Sequence, residues 1–203
     1  MNEGPADPTQ PSGSGSASTP PGSRFEDLTN FEVPVDAVAT GHRTAILITA
    51  AVVLDGIEDP QNLGASARSA EAAGASVLVS RTHRGAPVTD AAIRASAGAL
   101  LHLRHARDAN IARANERLQA AGFSAVGLDG SAEGSIFDTR CPDGRVAIVL
   151  GSEGSGLSRL VRERCDLLVA LPMRGRVDSL NAAASLAAAL YAFVLPRGPG
   201  GDG

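Results

Sequence analysis

Apolar positions follow two rhythms from residue 45 onward. Ala45–Leu54 is a continuous β-rich apolar run suited to a buried strand. After it, Leu63, Ala67, Ala70 and Ala73 recur at helical spacing, with Asn62 placed to cap the helix and Gly74 where a glycine closes one. Ser76–Ser80 reads as the next strand, and Asp90–Ala97 as a short helix before the apolar Leu100–Leu103. Asp108 can cap a further helix that carries Ile111, Asn115 and Leu118 on one face and ends at Gly122. Ala125–Leu128 and Val146–Leu150 are strands, Leu157–Cys165 is helical and Leu167–Leu171 is again a strand. An Ala-rich helix over 180–195 closes the pattern. Strands alternating with helices predict an α/β fold, a parallel sheet flanked by helices.

The pattern does not extend to the beginning of the chain. Residues 1–23 are dominated by Pro, Gly, Ser and Thr and bury too little apolar surface to offset the entropy of ordering, so they are expected to be a disordered tail. Residues 24–44 are transitional, with Phe25, Leu28, Phe31, Val33 and Val35 available to dock on the domain. The domain itself is expected to span 45–196, followed by a flexible 197–203.

Charge changes the picture only when its location is considered. The formal net charge of −4 resides in residues 1–45, where Glu3, Asp7, Glu26, Asp27, Glu32 and Asp36 face only Arg24 and Arg43. Between 81 and 117, Arg81, Arg84, Arg94, Arg104, Arg107, Arg113 and Arg117 outnumber Asp90, Asp108 and Glu116. This local excess can contact phosphates, or simply be a solvated helix face. Every basic residue is Arg, a pattern that a GC-rich genome also produces. Aromatic content of 3%, with no Trp, argues against a reader that stacks single-stranded bases. Cys141 and Cys165 form neither a disulfide framework nor, with His42, His83, His102 and His105, a metal-binding spacing. No metal is therefore expected. The apolar stretches are shorter than a membrane span needs, and no signal peptide is visible. A cytoplasmic setting is expected.

Three segments carry candidate chemistry. In DPQNLGASARSAEAAGA (59–75), Asn62 lies at a helix start near the C-terminal edge of the sheet, where open α/β folds bind ligands, and Arg68 follows within the helix. By itself this fits an ordinary capping Asn and a surface Arg. In VAIVLGSEGSGLSRL (146–160) a strand runs into a loop whose Gly151, Gly154 and Gly156 allow close backbone approach. The Lys of a phosphate loop is missing, as Leu157-Ser158 follows the last Gly, and Glu153 would repel a pyrophosphate. An acid there is compatible with a cationic sulfonium. In LPMRGRVDSLNAAASLAAA (171–189) a strand ends at Leu171-Pro172, and Ser179 and Asn181 precede an Ala-rich helix. Ser179 can be an N-cap; Asn181 is a mediocre helix former there. No nucleophile elbow or Ser/His pairing is evident.

Taken in order, N-x-x-x-x-x-R, L-G-S-E-G-x-G-L and L-P-M…S-L-N resemble the motifs of the SpoU/TrmH family of RNA ribose 2′-O-methyltransferases, within the SPOUT superfamily. The likeness runs from about Val52 to Tyr191 and is nearest to bacterial 23S rRNA guanosine-2′-O-methyltransferases. It implies a C-terminal deep trefoil knot, which periodicity does not reveal. It also implies S-adenosylmethionine as cofactor, held by Leu150, Gly151, Gly156, Leu171, Met173 and Leu180. Arg68, Asn62, Glu153, Ser179 and Asn181 match the catalytic and polar site positions. The resemblance implies a homodimer acting on RNA, with rRNA ahead of tRNA, or else a knotted RNA-binding protein without catalysis. The family's Arg is sometimes described as the general base. A guanidinium stays protonated across the physiological range, so Arg68 is better suited to hold phosphate or neutralise a developing alkoxide, and the base is left open. Related rRNA enzymes often carry an N-terminal RNA-binding domain, and here that stretch holds the Pro/Gly/Ser-rich segment.

Overall fold

The computed structural model describes residues 25–27 and 50–197. The expected tail (1–23), most of 24–44, the first residues of the 45–54 run and 198–203 lie outside the described residues. The elements are β1 (Phe25–Asp27), β2 (Ala50–Asp55), α1 (Pro60–Ala72), β3 (Val77–Arg81), α2 (Asp90–Ala95), β4 (Arg104–Asp108), α3 (Ile111–Ala120), β5 (Phe123–Leu128), β6 (Arg145–Gly151), α4 (Arg159–Glu163), β7 (Leu167–Val169) and α5 (Ala182–Ala189). A short 3-10 turn, Ala99–Leu101, precedes β4, and a π turn, Leu190–Val194, follows α5.

The strands form one parallel sheet in the order β1-β4-β3-β2-β6-β5-β7. Side-chain alternation divides the core in two. Val52, Leu54, Leu78, Ile148 and Leu150 pack with Leu63 and Ala67 of α1, Ala92 of α2 and Leu186 of α5. Ala51, Val53, Val77, Val79, Ala147 and Val149 pack with Ile111 and Leu118 of α3 and Val161 of α4. Because both faces are covered, the central strands are apolar throughout rather than alternating. Gly64 is what lets α1 approach α2, since a Cβ there would come within 2.3 Å of the Ala92 carbonyl oxygen.

Several local expectations need correction. Asp59, not Asn62, caps α1: its carboxylate accepts the Gln61 and Asn62 amides, at 3.2 and 3.1 Å. Pro60 starts the helix without wasting a donor. Asn110, not Asp108, caps α3, and Asn181, not Ser179, caps α5. Strand β4 was not expected, because its sequence, RHARD, is mostly charged. Pairing with β3 along its whole length supplies what its composition does not. The last helix is regular only over Ala182–Ala189 before the π turn. Phe25–Asp27 adds an edge strand beside β4.

The chain runs outward from β2 through β3 to β4, then crosses to the other side, where β6 pairs with β2. The C-terminal ends of β2, β6, β5 and β7 therefore share one edge at a reversal of strand order, the place where such sheets bind ligands.

Candidate active site

Three loops meet at that edge. The turn after β2 leads into α1 and carries Asn62 in its first turn. Because Asp59 does the capping, the Asn62 side chain is released for other contacts. The loop after β6 carries Glu153, and the segment after β7 ends at Asn181. Glu153 Oε1 accepts from Asn181 Nδ2 at 2.7 Å, from Asn62 Nδ2 at 3.1 Å and from the Ala182 amide at 3.2 Å. Asn181 Nδ2 also donates to Asn62 Oδ1 at 2.9 Å, while Asn181 Oδ1 caps α5 through the Ala183 and Ala184 amides. One carboxylate thus ties together elements 91 and 28 residues away in sequence.

The loop after β6 is closed on itself. Ser152 and Gly156 exchange backbone hydrogen bonds at 3.1 and 2.9 Å. Gly151 makes this possible, because a Cβ on it would lie 2.0 Å from the Gly156 carbonyl carbon. Beyond the loop, the buried Asp55 accepts the Ser158 amide at 2.7 Å and an Arg81 guanidinium nitrogen at 2.7 Å.

Beside this network lies a cavity of about 400 Å³, within the size range of small-molecule and cofactor sites. Leu150, Gly151, Gly156, Leu171, Met173 and Leu180 all line it, as do Glu153 and Ser179. The Ser179 hydroxyl lies 3.4 Å from Asp178 Oδ1. Arg68 is placed apart: it is exposed on α1, lines neither this cavity nor its neighbour, and its side chain bonds to no described residue.

Sequence reasoning missed the third wall, Leu128, Asp129 and Gly130. The signal was available, since a polar residue follows the apolar β5 at the same sheet edge. Partial burial pushes the Asp129 carboxyl up. The Ser131 hydroxyl and amide and the Arg162 guanidinium, 2.5 Å away, outweigh that and hold it below its usual range. Asp129, Glu153 and Asp178 give the cavity an acidic lining, and no arginine is among its described lining residues. Such a wall suits a cationic ligand and disfavours a triphosphate.

The remaining nucleophile candidates are outside the site. Burial, with Asp166, Asp55 and Asp129 near by, pushes the Cys165 thiol up to about 12, so it is not a thiolate. A Ser/His pair does exist, Ser80 Oγ to His105 Nε2 at 2.8 Å, but both residues are 2% exposed and closed to substrate. Among the described residues no group of His, Cys, Asp and Glu could hold a metal ion, and no helix is long and apolar enough to cross a membrane.

Comparison with known proteins places this arrangement. The model of the SpoU rRNA methylase family matches residues 49–191. YacO of Bacillus subtilis, named for the TrmH family of tRNA/rRNA methyltransferases, is 42% identical over 153 residues, 74% of this chain and 60% of that protein. The 23S rRNA (guanosine-2′-O-)-methyltransferase RlmB of a Burkholderia species is 40% identical over 146 residues, 72% of this chain and 59% of that protein. The chain thus spans about three fifths of the length of these relatives. Among solved structures, the SpoU methyltransferase AviRb of Streptomyces viridochromogenes in complex with AdoMet is 34% identical. It superposes with a TM-score of 0.62 over 75% of this chain and 58% of that one. From its matched motifs, its parallel sheet and the site at that sheet's C-terminal edge, the chain belongs to the SpoU rRNA methylase family.

Proposed function

We propose that this protein transfers the methyl group of S-adenosylmethionine to a ribose 2′-hydroxyl of RNA, with a guanosine of 23S rRNA as the first acceptor to test. One observation carries the reading: the residues matching the family's cofactor positions line a single cavity that abuts the Asn62–Glu153–Asn181 network. The name of RlmB supports the guanosine acceptor, and the AdoMet complex of AviRb supports the cofactor. The tRNA/rRNA wording attached to YacO keeps tRNA as the alternative.

The cavity fits the cofactor on its own terms. Leu128, Leu150, Leu171 and Met173 offer apolar surface for an adenine, the Gly151 backbone is bare, and the acidic lining complements a sulfonium and an ammonium. When bound, the cofactor supplies an activated methyl group. The protein's part is to orient the hydroxyl, stabilise the charge that develops on it and accept its proton. Glu153, held by Asn62 and Asn181, fixes the relation between the cofactor cavity and the acceptor side. Ser179 and Asn181 set the loop that closes the cavity. Arg68, cationic and exposed, binds RNA phosphate or offsets the alkoxide charge.

We read the C-terminal segment as a deep trefoil knot. The loops after β6 and β7 both wall the cavity, and α5 returns to pack against α1, which supports this topology. We also propose a homodimer, supported by the exposed Val177, Leu180, Tyr191 and Leu195 in the segments leading into and out of α5. A cytoplasmic site of action goes with an RNA substrate.

The test is transfer of labelled methyl from S-adenosylmethionine to rRNA and tRNA purified from cells lacking this gene, followed by mapping of 2′-O-methyl sites. Arg68→Ala should abolish transfer while cofactor binding persists in calorimetry. Absence of transfer to any RNA by a cofactor-binding protein would leave a non-catalytic RNA binder.

A further inference from the structure

A second cavity, of about 350 Å³, adjoins the first and shares Ser152 and Glu153 with it. Gly56, Ile57, Glu58, Asp59, Asn62 and Ser155 complete its walls, so carboxylates and no arginine are among its described lining residues. The loop joining β3 to α2, Thr82–Thr89, is fastened beside it. The Ala86 amide donates to the Ile57 carbonyl at 2.8 Å, and the Thr82 amide to the Asp108 carbonyl at 2.9 Å. The Arg107 guanidinium donates to the Arg81 and Thr82 carbonyls, at 3.2 and 3.0 Å. Gly85 packs so tightly that a Cβ would lie 2.5 Å from the Arg81 carbonyl oxygen. These contacts hold the loop's backbone in place on either side of its tip.

At its tip, Arg84 has φ +56°, the left-handed region that a residue with a Cβ occupies at a cost of about 1–2 kcal/mol. Ala97, the other described non-glycine with positive φ, closes α2, where its amide and that of Gly98 satisfy helix carbonyls. Arg84 closes no helix. Its side chain is exposed and bonds to no described residue, and His83 beside it is exposed as well. Glycine would relieve the strain at position 84, so what arginine adds is its guanidinium. Asp55 and Asp108, on the strands that flank the loop's start, are already paired with Arg81 and Arg117.

We propose that the Thr82–Thr89 loop, fastened beside this acidic cavity rather than within it, grips a backbone phosphate of the substrate RNA through Arg84 and His83. This rests on the RNA methyl-transfer reading and assigns the recognition surface for it. A planar guanidinium on a pre-ordered loop loses little entropy on binding phosphate.

The test is filter binding of in-vitro-transcribed 23S rRNA to the full chain between about 50 and 200 mM salt. Arg84→Ala and Arg84→Gly should weaken binding roughly five- to tenfold and lower the salt slope by about one, with Arg84→Lys intermediate. Arg84→Gly should melt no lower than the wild type, because the strain goes with the charge, and calorimetric affinity for S-adenosylhomocysteine should be unchanged. Wild-type affinity and salt slope in Arg84→Gly, in a protein that methylates RNA, would overturn this assignment alone. A wild-type protein that neither binds nor methylates RNA would overturn both it and the functional reading.

Discussion

The carboxylate of Asp55 accepts the backbone amide of Ser158 at 2.7 Å, joining positions 103 residues apart. Asp55 is 2% exposed and its other oxygen is taken by Arg81. The far end of the Gly-rich loop, whose near end walls the larger cavity, is thereby fastened to the middle of the sheet.

Asp55→Asn preserves the shape of this clamp but leaves the Arg81 charge uncompensated. Losing one partner of a fully buried pair costs about 3–5 kcal/mol, and the partial exposure of Arg81 reduces that to about 1–3 kcal/mol. Thermal melting should show a stability loss of that order. In steady-state kinetics, KM for S-adenosylmethionine should rise more than kcat falls. An unchanged KM would show that the loop is held in place by other contacts.

Glu153→Gln replaces a carboxylate that collects three donors with an amide that presents donors of its own. Hydrogen bonds to charged groups contribute about 1.5–3 kcal/mol, so transfer should fall roughly ten- to hundredfold. Circular dichroism should be unchanged, since Glu153 is at the surface. Wild-type turnover would remove Glu153 from the machinery.

Gly64→Ala sets two effects against each other. Alanine is favoured over glycine inside a helix by about 1 kcal/mol. Its Cβ, however, would meet the Ala92 carbonyl oxygen at 2.3 Å and Ala95 Cβ at 2.7 Å, backbone and a rigid methyl that cannot give way cheaply. Overpacking of this kind costs about 1–3 kcal/mol and should win. Chemical denaturation should show net destabilisation; a gain would mean that α1 and α2 can separate freely.

His105 makes stability depend on pH. Burial, reinforced by the Arg107 guanidinium, pushes its imidazole down to about 4 from 6.5. The unfolded chain takes up the proton first as pH falls. The contribution is therefore complete above pH 6.5 and is lost progressively as pH drops from 6.5 toward 4. The whole swing is about 3 kcal/mol. Denaturation midpoints measured across that window should fall less steeply in His105→Phe than in the wild type, and identical slopes would refute the assignment.

The apolar runs made β2, β5 and β6 readable because strands covered on both faces have no polar side to hide them. The three motif segments were readable because each follows one of those strands. Strand β4 was not, since RHARD gains its extended form from pairing with β3 rather than from its own composition. The caps were misplaced at Asn62, Asp108 and Ser179 for a shared reason. Several residues with capping side chains stand near each helix start, and backbone geometry chooses among them.

By itself, then, the chain's sequence determined the alternation of strands and helices and the family, and it singled out Asn62, Glu153, Ser179, Asn181 and Arg68 as candidates. These follow from local periodicity and short motifs. Only the tertiary structure decided which of them meet. It gathered Asn62, Glu153 and Asn181 around one carboxylate, kept Arg68 outside that network, and added Asp129 to the cavity wall. It also set Asp55 against Ser158 and Arg84 on a strained loop. Such contacts arise because parallel strands bring distant segments to one sheet edge, where sequence separation no longer measures distance.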